Sequence, residues 1–174
     1  MTDVRKISIG PAEIFMGSVG VTPTTYVGYS YDDCTIEMVY QNPKEYYIGI
    51  PQVPSERMPA TRVITTLNFT TAEWDLENFA SILGLQVSST STQSVLSVQD
   101  FNPEPMAVYL KNRTPEGKTI EVLLYKVILA RNFVFPFTYR LHKFPISFEV
   151  LWPTVDFAGQ SPTCLFTVVA PRVI

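Results

Sequence analysis

The chain has 174 residues, 46% of them hydrophobic, 13% aromatic and only 17% charged, where an average soluble domain is roughly a quarter charged. This profile excludes a disordered chain, which needs low hydrophobicity and high net charge. With 13 Lys and Arg against 16 Asp and Glu, net −3, it also excludes a polybasic nucleic-acid binder. One domain, residues 1–174, is expected, with either a large core or surface hidden by partners.

Apolar residues alternate with polar ones or run in β-branched and aromatic blocks, and both habits favour strands. The first block is Val4 to Ile9, stopped by Gly10-Pro11. Ala12 to Met16 is the second, and a Gly/Thr/Pro-rich turn region covers Ser18 to Thr25. Cys34 to Tyr40 alternates, with Cys34, Ile36, Met38 and Tyr40 on one face and Thr35, Glu37 and Val39 on the other.

Segment 41–59 breaks the pattern. Pro43, Pro51, Pro54 and Pro59 surround an apolar centre, Tyr46-Tyr47-Ile48-Gly49-Ile50. Proline cannot donate to a ladder, so a central strand is excluded, and the reading is a long projecting loop whose tip meets a partner. A loop folded back on its own domain fits the same composition.

Ala60 to Phe69 resumes alternation, with Val63, Thr65, Leu67 and Phe69 opposite Arg62, Ile64, Thr66 and Asn68. A helix over about 71–83 follows, with Thr70 as N-cap and Glu73 completing a capping box. Leu76, Phe79, Ala80 and Leu83 form its apolar stripe, and Gly84 stops it. Ser88 to Ser97 reads as an exposed loop. Strands resume at Met106 to Arg113 and Thr119 to Ala130, joined by a tight turn at Thr114 to Lys118. Asn132 to Tyr139, Phe144 to Trp152 and Thr163 to Val169 complete eight or nine strands. The predicted fold is mainly β (α+β): two packed antiparallel sheets forming a sandwich or barrel, with one flanking helix.

Chemistry has no visible anchor. His142 is the single histidine, and no metalloprotease, nucleophile-elbow, phosphate-loop or dinucleotide motif occurs, so no enzyme, cofactor or metal is expected. Cys34 and Cys164 make no metal-ligand spacing and are expected reduced and buried. MTDVRKISIG carries basic residues but no apolar run, so it does not read as a secretory signal. The apolar stretch Ile120 to Ala130 is broken by Glu121 and Lys126 and is too short for a membrane span.

Taken in order, GPAEIFMG, VGYSYDDCTIEMVY, the Pro-rich loop, RVITTLNF and the capped TTAEWDLENFASILG resemble the N-terminal half of bacteriophage tail tube proteins, those of long non-contractile tails especially. KFPISFEVLWPTVDF, a Gly-containing turn and LFTVV are similar to the family's C-terminal half. The likeness spans nearly the whole chain but is one of order and pattern, and no motif in it is diagnostic alone.

The resemblance implies a structural virion protein of the phage tail, assembled in the bacterial host cytoplasm. Its copies would form rings, commonly hexameric, stacked into a hollow tube through which DNA passes without specific binding. Sheets of neighbouring subunits join around the lumen, and the long loop reaches the adjacent ring. Type VI secretion tubes share the fold. Other partners would be the tape measure, terminator and baseplate proteins.

On that basis Thr35, Glu37, Arg62, Thr66, Asn68, Ser147 and Glu149 would line the channel, and Tyr46, Tyr47, Ile48 and Ile50 would make the inter-ring contact. Arg62 is expected to pair with Glu37 or Glu149, loosening its hold on phosphate. Alternation alone fits an outer, water-facing surface equally well. Two other functions stay open: a tail terminator or baseplate ring protein of the same fold, and a ligand- or carbohydrate-binding β-sandwich. The tyrosines Tyr26, Tyr29, Tyr31, Tyr46 and Tyr47 favour the sugar-binding alternative.

Overall fold

The computed structural model describes residues 2–41, 62–71, 77–78, 80, 86–89, 91–92, 94–97, 103–114, 116–130 and 144–171. The strands are β1 (Thr2–Gly10), β2 (Glu13–Ser18), β3 (Thr25–Tyr29), β4 (Cys34–Gln41), β5 (Arg62–Thr71), β6 (Gln86–Ser89), β7 (Ser94–Ser97), β8 (Met106–Arg113), β9 (Thr119–Leu129), β10 (Phe144–Val150) and β11 (Phe166–Val169). The protein is mainly β, and every pairing among the described strands is antiparallel.

The described strands connect as one nine-stranded sheet in the order β1-β4-β5-β10-β9-β8-β2-β3, with β11 added on β9, and a separate β6-β7 hairpin. The reason lies in β9, which at 11 residues is long enough to serve both halves. Its Val127–Leu129 end pairs with β10, and its earlier part pairs with β8 and β11. A register shift against Met106 and Val108 lets it change direction between them. The barrel alternative fails because β1 and β3, the two ends of the path, do not pair with each other.

Both halves feed one buried cluster. Phe144, Phe148, Ile36 and Leu67 come from the first half, and Ile14, Leu110, Val122 and Leu124 from the second, all fully buried. The parity read from sequence holds on β10, where Phe144, Ile146, Phe148 and Val150 are buried while Pro145 and Glu149 are exposed. It fades at one end of β5: Val63 shares the parity of the buried Thr65, Leu67 and Phe69 but is 41% exposed, because there the face runs past the cluster.

Turn chemistry closes the hairpins. Gly117, at φ 77°, gives its N–H to Thr114 O at 2.9 Å, and Thr114 Oγ1 accepts from Lys118 N at 3.2 Å, so the predicted β8–β9 turn forms. Between β1 and β2, Gly10 has φ 79°, and a Cβ there would lie 2.6 Å from Asn112 Nδ2, whose amide donates to Ile9 O. Only glycine meets both demands.

Several elements differ from expectation. Ser88, Ser89 and Ser94–Ser97 are strand rather than loop: Val87 pairs with Leu96 in the β6–β7 ladder, the Ser and Thr content having masked the β-branched pattern. β3 emerges from the end of the Gly/Thr/Pro region, and Tyr26, Tyr29 and Tyr31 on and after it are all exposed. The helix cannot start at Thr70 or Thr71. These residues oppose Pro145 and Phe144 in β5, and Thr70 O accepts from Tyr31 N at 2.7 Å, so tertiary pairing wins over the capping signal. Of predicted positions 71–83, Glu77, Asn78 and Ala80 are described as helical. The tip of the Pro-rich loop, Tyr46, Tyr47, Ile48 and Ile50, lies outside the described residues, as do Asn132 to Tyr139 and His142.

Both cysteines are free, and Cys34 is buried as expected, but Cys164 is exposed on the Ser/Pro-rich approach to β11. Burial pushes the Cys34 thiol up to about 11 from 9.0, against a hydrogen bond with Ser30 that favours the thiolate. From pH 9 to about 11 the folded state keeps a proton that the unfolded thiol loses, so this group's contribution to stability falls as pH rises through that window. At pH 8 an aromatic disulfide reagent is expected to titrate Cys164 alone in the folded protein and both thiols in urea. Release of two equivalents under native conditions would contradict the burial of Cys34.

Candidate functional site

The cross-strand registers gather six of the seven channel candidates into two rows on one face of β1-β4-β5-β10. One row runs Ser8, Thr35, Asn68, Ser147. The next runs Lys6, Glu37, Thr66, Glu149 and ends beside Ile128 on β9. Parity explains the grouping: each of these residues alternates with a neighbour turned to the opposite face.

Asn68 is the hub of the first row. Its Oδ1 accepts from Ser147 Oγ at 2.6 Å, its Nδ2 donates to Thr66 Oγ1 at 3.3 Å, and its backbone carbonyl accepts from Thr35 Oγ1 at 3.5 Å. Asn68 therefore ties Ser147 across to β10, Thr66 along β5 and Thr35 across to β4. Ser8 Oγ donates to Asp33 Oδ2 at 2.9 Å at the margin of the row. A shallow depression of about 300 Å³ opens there, lined by Asp33, Thr35, Asn68, Pro145 and Ser147 among others. It holds hydroxyl, amide and carboxylate groups, with no cation among the residues that line it.

In the second row Lys6 Nζ lies 3.6 Å from Glu37 Oε2, the lysine side chain 64% exposed and the glutamate 29%. Such a pair contributes at most about 1 kcal/mol at a surface. Its consequence here is local charge: it offsets Glu37 and leaves Glu149, exposed on β10, as the other acid of the row. Sequence parity on β4, β5 and β10 did not supply Lys6, because β1 was not sorted into faces. Register does so, by setting Lys6 opposite Glu37.

Arg62 is set opposite Gln41 at one end of the β4–β5 ladder. Beyond the charged row, the apolar Val39 and Ile64 stand opposite one another. The polar surface is therefore banded rather than uniform.

A second face escaped the sequence reading. On the outer side of β3-β2-β8-β9-β11, Tyr26, Phe15, Tyr109, Leu123 and Thr167 stand in one cross-strand row. Phe15 lies 5.6 Å, centroid to centroid, from both Tyr26 and Tyr109. A charged row beside it carries Glu13, Lys111 and Glu121. Burial, then the charge of Glu121 and a hydrogen bond to it, then Glu13, push the Tyr109 hydroxyl above its ordinary value. Alternation in MAVYLKNR carries the signal that finds this face, since Tyr109 and Lys111 oppose Val108 and Leu110.

Among the described residues no three His, Cys, Asp or Glu side chains are grouped to hold a metal ion, and no helix is long and apolar enough to cross a membrane. No protein-family model matches this chain, and no curated protein matches it either.

Proposed function

We propose that this chain is the subunit of a phage tail tube, with the polar face of β1-β4-β5-β10 as the wall of the DNA channel. The supporting observation is the pair of rows centred on Asn68 and Thr66: small hydroxyl and amide groups already bonded to one another, and two carboxylates against one lysine that is itself paired with Glu37. A conduit must not grip its cargo, and phosphate is gripped by free Lys and Arg. Groups bonded to one another and carrying excess acid give a passing polyanion little to hold.

Strand count supports the same reading. β1, β4, β5 and β10 are an even number of successive antiparallel strands. When copies repeat by rotation, β1 of the next copy runs antiparallel to β10, so the alternation continues without a break around a ring. In this reading the two halves of the sheet form the layers of a sandwich, residues 41–59 reach the adjacent ring, and the protein resides in the virion without catalytic activity.

Size-exclusion chromatography and negative-stain microscopy of the purified full chain test the proposal. Rings or tubes of uniform bore are the expected result, and a species that stays near the 19.6 kDa monomer at every concentration overturns it. Single rings that never stack would point instead to a terminator or baseplate ring.

The aromatic row Tyr26–Phe15–Tyr109 favours a second reading, a carbohydrate-binding module whose rings stack on sugar faces. Retardation of the monomer in polysaccharide-containing native gels, lost in Tyr26→Ala, would favour that reading over the first.

A further inference from the structure

We propose that Lys6 and Thr66 form a phosphate-binding site on the polar face, and that the Glu37 carboxylate, set between them, fills it in place of DNA. The inference rests on the tail-tube reading and goes beyond it. What keeps the wall from holding DNA is then one internal competitor rather than the sum of its charges.

Register puts the three residues in line. Glu37 of β4 is opposite Lys6 of β1 on one side and Thr66 of β5 on the other. Directly opposed residues bring their Cβ atoms to about 4.5–5.5 Å, so an ammonium and a hydroxyl flank one carboxylate. Lys6 Nζ lies 3.6 Å from Glu37 Oε2. Thr66 Oγ1 accepts from Asn68 Nδ2 at 3.3 Å, which leaves its own proton to donate. A lysine and a threonine hydroxyl on either side of one anion are groups that proteins use to bind phosphodiesters.

Exposure shows how the site is filled. The lysine side chain is 64% exposed and the glutamate 29%, so the cation reaches solvent while the acid that holds it is the more covered of the two. A surface ion pair of this kind is weak, and removing its acid frees the lysine for phosphate. Each copy presents one Lys6. Copies repeated by rotation set these lysines in a circle, so a duplex in the bore meets several at once and its phosphate contacts add up.

Glu149 does not share this role. Its cross-strand neighbours are Thr66 and Ile128, so no cation stands opposite it. Lys126, half-buried, lies two residues before Ile128 on β9, off the end of the row. The two acids of the row therefore differ: Glu149 adds negative charge to the face, and Glu37 cancels one particular cation.

The test uses full chains assembled into tubes, with folding verified by circular dichroism, tubes by negative-stain microscopy, and duplex DNA as the probe. Glu37→Gln tubes are expected to retain about tenfold more DNA than wild type at about 50 mM salt and to release it by about 200 mM. Lys6→Gln combined with Glu37→Gln removes the cation as well, and retention is expected to return to the wild-type level. Lys126→Gln combined with Glu37→Gln has the same net charge as that double variant but keeps Lys6, and is expected to retain DNA like Glu37→Gln. Glu37→Asp keeps the charge and draws the carboxylate back by one methylene. It is expected to give a smaller gain, and reads the same competition where the glutamine variant does not form tubes. Equal retention in the two double variants, or no gain in Glu37→Gln and Glu37→Asp tubes, overturns this site while leaving the tail-tube reading intact. A wild-type chain that never assembles overturns both.

Discussion

Replacing Phe148 by alanine is expected to destabilise the fold by about 3–5 kcal/mol, the range for truncating a fully buried aromatic. Phe148 has no exposed surface and stacks on Phe69 with ring centroids 6.0 Å apart. It also sits where β10 is paired on both sides, opposite Leu67 of β5 and Leu129 of β9. A cavity at that point loosens the junction between the two halves of the sheet. Against a typical total of about 5–15 kcal/mol the loss is a large fraction. It is read as a fall of roughly 1–3 M in the urea midpoint. The adjacent Ser147→Ala, on the polar face, is expected to move the midpoint by far less. A Phe148→Ala midpoint within 0.3 M of wild type would contradict the placement of the core, a margin set by slopes of about 1–3 kcal/mol/M.

The second large effect concerns the proposed channel. Glu37→Lys combined with Glu149→Lys adds about four units of positive charge per copy to one sheet face, repeated around every ring. In the tail-tube reading, the substitution is expected to turn a wall that repels phosphate into one that binds it. Assembled wild-type tubes are expected to retain no duplex DNA at 50 mM salt. Tubes of the double variant are expected to retain it with a steep salt dependence, losing about 10³–10⁵ in affinity between 50 and 200 mM for six to ten phosphate contacts. Nuclease protection of the retained DNA separates binding inside the bore from binding outside. Retention that is unprotected places Glu37 and Glu149 on the outer surface.

Local pattern made much of the fold legible. Met106 to Arg113 forms a strand with the predicted bounds, because alternation and the Thr114–Lys118 turn chemistry agree there. The two faces of β10 were readable for the same reason. The continuity of the sheet was not legible, since it depends on β9 bending to serve partners on both halves, and that is a long-range pairing without a local signature. The start of the helix was misread because Thr70 and Thr71 satisfy a capping rule and a strand equally well, and the Tyr31–Thr70 bond and β10 decide for the strand.

The candidate site divides in the same way. Thr35, Glu37, Thr66, Asn68, Ser147 and Glu149 follow from parity on three strands, but their alignment into rows needs the register between strands. Lys6 and the aromatic row through Phe15 and Tyr109 appear only when strands distant in sequence are placed side by side. The shortage of charged residues fits this picture. The outward surface of one half of the sheet is polar and that of the other carries an aromatic row, and neither calls for many charges.

Electron cryomicroscopy of the assembled full chain tests the central claim most directly. The account predicts a hollow tube in which Thr66, Asn68 and Glu149 stand on the lumen wall, with β1 of each copy beside β10 of the next. A tube with that face on its outer wall would contradict the account.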